Sequence, residues 1–289
     1  MEKYKKTFYF FLVIFLGLSS CTSKSESIVK PSVLVSIEPY AFFVKKIAGD
    51  TLQVKTLIPP SANAHSYEPT PKEVKDAGNA DVWFQIGEPI EKAIAPSLQQ
   101  KNKHLLIYDV KTDIELIGDC CLGHHHKESK DIHVWLSPIL MKKQAIAVAK
   151  ILMNRFPKNA SLYRQNLQSL LLELDDLNDE IENLLNPIEN KKILVTHPAF
   201  GYFCRDYNCE QIAIEFEGKD PLPRKLDETV EVAKNSHVKL IISQPQFSQK
   251  SAEVVSRRLQ LPIYEFNPYA SDYISNMLYL ANLVVQSNE

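Results

Sequence analysis

Three of the eight histidines in this 289-residue chain sit in settings that could hold a metal ion. His65 lies in Asn63-Ala64-His65-Ser66-Tyr67-Glu68-Pro69-Thr70-Pro71, a segment stiffened by proline. His133 lies in Asp131-Ile132-His133-Val134-Trp135-Leu136-Ser137-Pro138, and His197 in Ile193-Leu194-Val195-Thr196-His197-Pro198. Neutral imidazole is the commonest transition-metal ligand. It binds best where an acceptor holds its second ring nitrogen, which rigid loops can supply. Taken singly, each reads more readily as a structural residue than as a ligand, and taken together they leave ligation and structure balanced. If they meet, three imidazoles and an open position suit capture of a divalent ion or activation of a bound water. A second run, Cys120-Cys121-Leu122-Gly123-His124-His125-His126-Lys127-Glu128, is either a weak collecting site for metal or a solvated loop. His104 and His237 read as structural residues at the ends of elements. Trp135 and Tyr67 are expected to pack around the site.

The elements that must position these residues alternate along both halves. In the first half, strands are predicted at Ser32–Ile37, Gln53–Leu57, Val82–Ile86 and His104–Tyr108, and helices at Ala41–Ala48, Thr70–Ala77 and Pro138–Phe156. In the second, strands are predicted at Lys192–Thr196, Gln211–Glu215, Lys239–Ser243 and Pro262–Phe266. Helices are expected at Pro198–Tyr207, Pro223–Ser236, Ser248–Leu259 and Asp272–Gln286. Between the halves, Tyr163, Leu167, Leu170, Leu171, Leu174, Leu177, Ile181, Leu184 and Leu185 recur at steps of three and four, bounded by Pro157 and Pro187. That is one helix of about 25 residues, about 40 Å long. A coiled-coil seam is the rival reading, but the doubled leucines favour packing across two lobes, and a monomer is expected. The fold class is therefore α/β: two βα lobes with mainly parallel sheets, 32–156 and 188–289, joined by a connecting helix over 157–187. In such sheets ligands bind beyond the carboxyl ends of the strands. All three histidines could meet there, in a cleft between the lobes. A single rigid connector predicts small rather than large closure.

Composition narrows the functional classes. Hydrophobic residues make up 45% and charged residues 24%, ordinary for a globular protein. A net charge of −2 offers no basic field, so nucleic acid is excluded as an expected partner. Eight glycines against 17 prolines, with no phosphate-cradling glycine motif, leave nucleotide binding without support. The first 21 residues differ from the rest. Lys3, Lys5 and Lys6 precede an apolar run from Phe8 to Leu18, which has the length of a signal-peptide core rather than a membrane span. Leu18-Ser19-Ser20-Cys21 resembles a bacterial lipobox, making 1–21 a lipoprotein signal peptide and Cys21 the lipid anchor. Residues 22–31 then form a tether, and the chain is expected to face the periplasm or cell exterior. In that setting Cys204 and Cys209 could form a disulfide or remain two buried thiols.

Four separated segments carry a resemblance. Asn63 to Pro71, Asp131 to Pro138, His197-Pro198-Ala199-Phe200-Gly201-Tyr202-Phe203 and Ile214-Glu215-Phe216-Glu217-Gly218-Lys219-Asp220-Pro221 are similar to motifs of the metal-binding solute-binding lipoproteins of bacterial ABC importers for zinc and manganese. The likeness runs from about residue 31 to the C-terminus. It implies two βα lobes, a metal site between them, His65, His133 and His197 as the ligands, and an importer permease and ATPase as partners. The family often adds an aspartate ligand in the last strand-to-helix loop, where this chain reads Glu265-Phe266-Asn267-Pro268. Some zinc-type members have a glutamate before the first histidine, where this chain has Ala64. Glu215 aligns with a carboxylate used by manganese-type members, leaving it a fourth ligand or a hydrogen-bond partner. Three imidazoles favour Zn²⁺ over Mn²⁺, which prefers more oxygen donors. Affinity is expected to fall as pH drops through about 6 to 5, where imidazoles take up protons. The rival functions are a zinc hydrolase, for which no HExxH motif or evident base appears, and a surface adhesin, as some relatives have been described.

Overall fold

The computed structural model describes residues 30–121, 124–189, 191–215 and 221–288, with the side chains of 119–129 outside the description. The signal peptide, lipobox and most of the tether therefore lie outside the described residues. In the first lobe, β1 (Ser32–Val35), β2 (Gln53–Thr56), β3 (Val82–Gln85) and β4 (Leu106–Asp109) form a parallel sheet in the order β2-β1-β3-β4. The helices α1 (Glu38–Ala48), α2 (Pro71–Ala77) and α3 (Pro89–Lys101) connect them. An antiparallel hairpin, β5 (Gly118–Cys121) and β6 (His124–Lys130), follows, then α4 (Pro138–Arg155) and the long α5 (Ala160–Leu185). The second lobe repeats the plan. Strands β7 (Lys192–Val195), β8 (Glu210–Ala213), β9 (Ile241–Ser243) and β10 (Ile263–Glu265) pair in the order β10-β9-β7-β8, again all parallel. Helices α6 (Gly201–Tyr207), α7 (Pro223–Asn235), α8 (Lys250–Leu259) and α9 (Tyr273–Gln286) cover it. In both sheets the chain lays its second strand on one side of the first and its third on the other. Each lobe therefore has a switch point where the loops diverge, the usual place for a ligand.

Local chemistry accounts for these elements. Val33–Val35 of β1 and Ile193–Val195 of β7 read as apolar runs because both sheet faces are covered. The prolines stiffen the chain at helix starts as well as in loops. Proline occupies the first turn of α1, α2, α3, α4 and α7, where its missing N–H costs no helical bond. Two elements escape the periodicity. Helix α3 carries Pro96 and buries little beyond Glu91, Ile94 and Leu98, so its stripe is weak and half polar. The hairpin replaces the expected loop around the histidine run, with Cys121 opposite His124 and Cys120 opposite His125 in the backbone register.

Helix α5 has 26 residues and buries Tyr163, Leu170, Leu174, Leu177, Ile181 and Leu185. It packs on α1 and α4 of the first lobe and on α9 of the second, so its stripe is consumed within the chain rather than in a coiled coil. One continuous core runs from Val33, Val35 and Phe84 through Leu174 and Leu177 to Phe200, Phe266 and Leu280. Cys204 and Cys209 are two buried thiols rather than a disulfide. Burial pushes the Cys209 thiol up to about 12.

Candidate metal centre

Each histidine is positioned by a different local device. After β2 the chain turns at Asn63, whose Oδ1 accepts the His65 backbone N–H at 3.0 Å. Thr70 and Glu73 then bond each other reciprocally to start α2, fixing the far end of the loop. His133 repeats the first device, with Asp131 Oδ1 accepting its backbone N–H at 2.8 Å before a short 3₁₀ turn over Val134–Leu136. His197 follows β7 and is bracketed by buried Gln244, whose Oε1 accepts its N–H at 3.0 Å while Nε2 donates to its carbonyl at 2.7 Å.

The three rings converge. Nε2 of His197 lies 3.2 Å from Nε2 of His65 and 3.2 Å from Nε2 of His133. The three ligand atoms all fall within 4.8 Å of one another. A tetrahedral ion with bonds of about 2.0–2.1 Å separates its ligand nitrogens by about 3.3 Å, so the cluster has the dimensions to hold one small ion.

Every ring is also oriented from behind. Nδ1 of His65 lies 3.0 Å from Glu88 Oε2, Nδ1 of His133 lies 2.7 Å from Asp131 Oδ1, and Nδ1 of His197 is bonded to Glu215. A carboxylate on Nδ1 holds the proton there and leaves the Nε2 lone pair for a metal. The three acids put negative charge around a point lined, among the described residues, by three nitrogen donors. Glu88 Oε1 and Asp131 Oδ2 are buried with no hydrogen-bond partner among the described residues, which a nearby dication would compensate. Burial pulls the His65 pKa down, but the Glu88 hydrogen bond and charge, with the charges of Glu215 and Asp131, outweigh it and raise it above 6.5. Burial, reinforced by the neighbouring His133 and His65, lowers His197 well below 6.5. His197 is therefore ready to bind at neutral pH, whereas His65 must give up a proton more often.

Phe247 stacks on His197 at 4.1 Å with an interplanar angle of 11°, and Trp135 stands 5.2 Å from His133. Tyr67 is half-buried and its hydroxyl turns to Glu73 rather than to the rings. Glu215 is engaged on the side of His197 away from Nε2, so it is an orienting group in this arrangement. Sequence reasoning missed Glu88, Gln244 and Phe247. Glu88 lies in the unpredicted turn before α3, while Asp131, two residues before His133, was quoted without a role. The spacing Asn63–His65 and Asp131–His133 was the available signal, since an Asx side chain readily caps the N–H two residues on. The side chains of Cys120, Cys121 and His124–His126 lie outside the described residues.

Residues 33–287 match the family model for the periplasmic zinc-uptake complex component A, ZnuA. The chain belongs to this family. It is 32% identical over 275 residues to a Chlamydia trachomatis protein, covering 94% of this chain and 96% of that one. It is 28% identical to the high-affinity zinc uptake system protein ZnuA of Bacillus subtilis, covering 86% and 82%. A crystal structure of ZnuA superposes with a TM-score of 0.84 at 33% identity, covering 90% of this chain and 100% of that one. Streptococcal substrate-binding lipoproteins named for manganese and for iron match at 28% and 29%. The family is one of substrate-binding transport proteins, and the ZnuA fold, two lobes about a connecting helix, is the one seen here.

Proposed function

We propose that this chain captures one Zn²⁺ ion outside the cytoplasm with Nε2 of His65, His133 and His197 and delivers it to an ABC-type importer. The observation that carries the reading is the convergence of three Nε2 atoms, each with a carboxylate on the opposite ring nitrogen. Three nitrogen donors, with no carboxylate in the cluster among the described residues, suit Zn²⁺ better than Mn²⁺. Asn267, which replaces the acid common in the family, supports that preference. Its Oδ1 already accepts Gln246 Nε2 at 2.7 Å and the Tyr269 N–H at 2.9 Å. Capture rather than catalysis is supported by Glu215, a candidate base that here orients His197. In this reading residues 1–21 are removed as a signal peptide, Cys21 carries lipid, residues 22–31 form the tether, and the two lobes with their 157–187 connector work as a monomer. Partners are the importer's permease and ATPase.

Elemental analysis of the purified mature chain, with a competition titration of Zn²⁺ against Mn²⁺, tests the reading. One zinc per chain, lost in His133→Ala, is the expected result. Manganese bound more tightly than zinc, or undiminished binding in His133→Ala, would overturn it.

A further inference from the structure

The three ligand segments are not held equally. The His133 segment is bolted to the C-terminal lobe: Trp135 Nε1 donates to Pro268 O at 3.1 Å, and Tyr273 and Tyr202 donate to the carbonyls of Trp135 and Asp131, each at 2.8 Å. All of these bonds are buried, and losing any of them leaves an unpaired polar group inside the molecule. The His197 segment belongs to the second sheet itself and is gripped by Gln244. The continuous core through α5 ties the two lobes together. His65 is different. Its side chain is 29% exposed, against 9% for His133 and 8% for His197. Its loop reaches across the cleft through a side-chain amide: Gln246 Nε2 donates to Pro60 O at 2.6 Å and to Asn267 Oδ1 at 2.7 Å.

The direction of that amide is fixed by its partners. Pro60 offers a carbonyl, and the Asn267 oxygen already accepts from Tyr269, so only the NH₂ end of Gln246 can face them. The opposite end, Oε1, is buried with no partner among the described residues. An amide that keeps a buried oxygen unsatisfied in order to donate twice is placed for those donations. The next residue, Phe247, stacks on His197 and lies 6.3 Å from the His65 ring, so the amide sits in the same short segment as the aromatic wall of the site.

We propose that Gln246 is a latch holding the His65 loop against the C-terminal lobe, and that this loop lifting, rather than the lobes parting, is how the ion leaves. The inference rests on His65, His133 and His197 being the metal site. Gln246 touches no ion in this reading and acts as a positioning residue through Pro60 and the loop. With His133 and His197 fixed, release begins when His65 Nε2 withdraws, and the Gln246–Pro60 bond resists that step.

The test uses the zinc-loaded mature chain mixed rapidly with excess chelator, comparing parent, Gln246→Leu and Gln246→Glu. Both substitutions keep most of the side-chain volume and remove the donor, and either suffices if the other folds poorly. Release is expected to quicken about tenfold, the effect of losing roughly one hydrogen bond across the cleft. Zinc association should stay within about twofold, and the metal-free melting temperature should fall by no more than about 3–5 °C, the scale of that one bond. Release within about twofold of the parent, or faster release beside a metal-free melting temperature lowered by about 10 °C or more, would overturn the latch. His65→Ala in the same assay separates the two levels. Retention of tight zinc binding there sinks the metal site itself, while its loss beside unaltered release in the Gln246 variants sinks only the latch.

Discussion

Gly201→Ala probes the link between the fold and the site without touching a ligand. Gly201 opens α6, and a Cβ there would lie 2.5 Å from Asp131 Oδ2 and 3.2 Å from the Ile117 Cδ1 atom. An ordinary contact needs about 3.5 Å, so the Asp131 carboxylate must move by about 1 Å. The same carboxylate holds His133 through both its backbone N–H and Nδ1. Disturbing an acceptor behind a metal-ligating histidine costs about 10- to 100-fold in affinity, equivalent to about 1.4–2.7 kcal/mol. The metal-free fold should suffer less, because overpacking costs about 1–3 kcal/mol while replacing glycine with alanine in a helix returns up to about 1 kcal/mol. A chelator competition titration reads the affinity and a thermal melt of the metal-free chain reads the fold. Zinc affinity within about twofold of the parent, beside a lowered melting temperature, would refute the claim that Asp131 positions His133.

The pH dependence of binding follows from His65. Because its pKa is raised above 6.5, protons compete with the metal sooner than at an ordinary imidazole, so zinc affinity should begin to fall above pH 6.5 rather than only between about 6 and 5. A titration showing constant affinity down to pH 6 would contradict this. The same raised pKa favours the folded metal-free chain below pH 6.5, where His65 is charged in both states, and that contribution is lost as pH rises through the folded value. Zinc at 100 times its dissociation constant should add about 2.7 kcal/mol to stability, a rise in melting temperature of about 5–10 °C. His197→Ala should abolish that rise, and a persisting shift would place the ion elsewhere. Glu91→Leu leaves the buried N–H of Ile86 and the half-buried N–H of Gly87 without their acceptor and removes one of the partners of Ser36. It should cost about 2–4 kcal/mol in a denaturant melt, and a cost under about 1 kcal/mol would show that the turn before α3 needs no acid.

The strands and the connecting helix were legible because burial writes a period into the sequence. β1 and β7 are apolar after their first residue, and the α5 stripe from Tyr163 to Leu185 is unmistakable at steps of three and four. Helix α3 was not legible, since its buried face includes the charged Glu91 and its interior holds Pro96. At the site the resemblance singled out the three histidines as ligands, and the structure brings them together, but their partners follow another rule. Glu88 follows β3 while Gln244 and Phe247 follow β9, and nothing local in the sequence pairs Glu88 with His65 or Gln244 with His197. Only the folded sheets, each with its switch point, bring those loops together. Glu215 shows the same limit. Alignment could place it near the metal, but not on the Nδ1 side of His197.

The most direct test of the account is X-ray absorption at the zinc edge on the mature chain loaded with one equivalent of zinc. The account predicts three imidazole nitrogens at about 2.0–2.1 Å, falling to two in His65→Ala. A sulfur scatterer at about 2.3 Å, or a spectrum unchanged by His65→Ala, would mean that the tightly bound ion sits elsewhere in the chain.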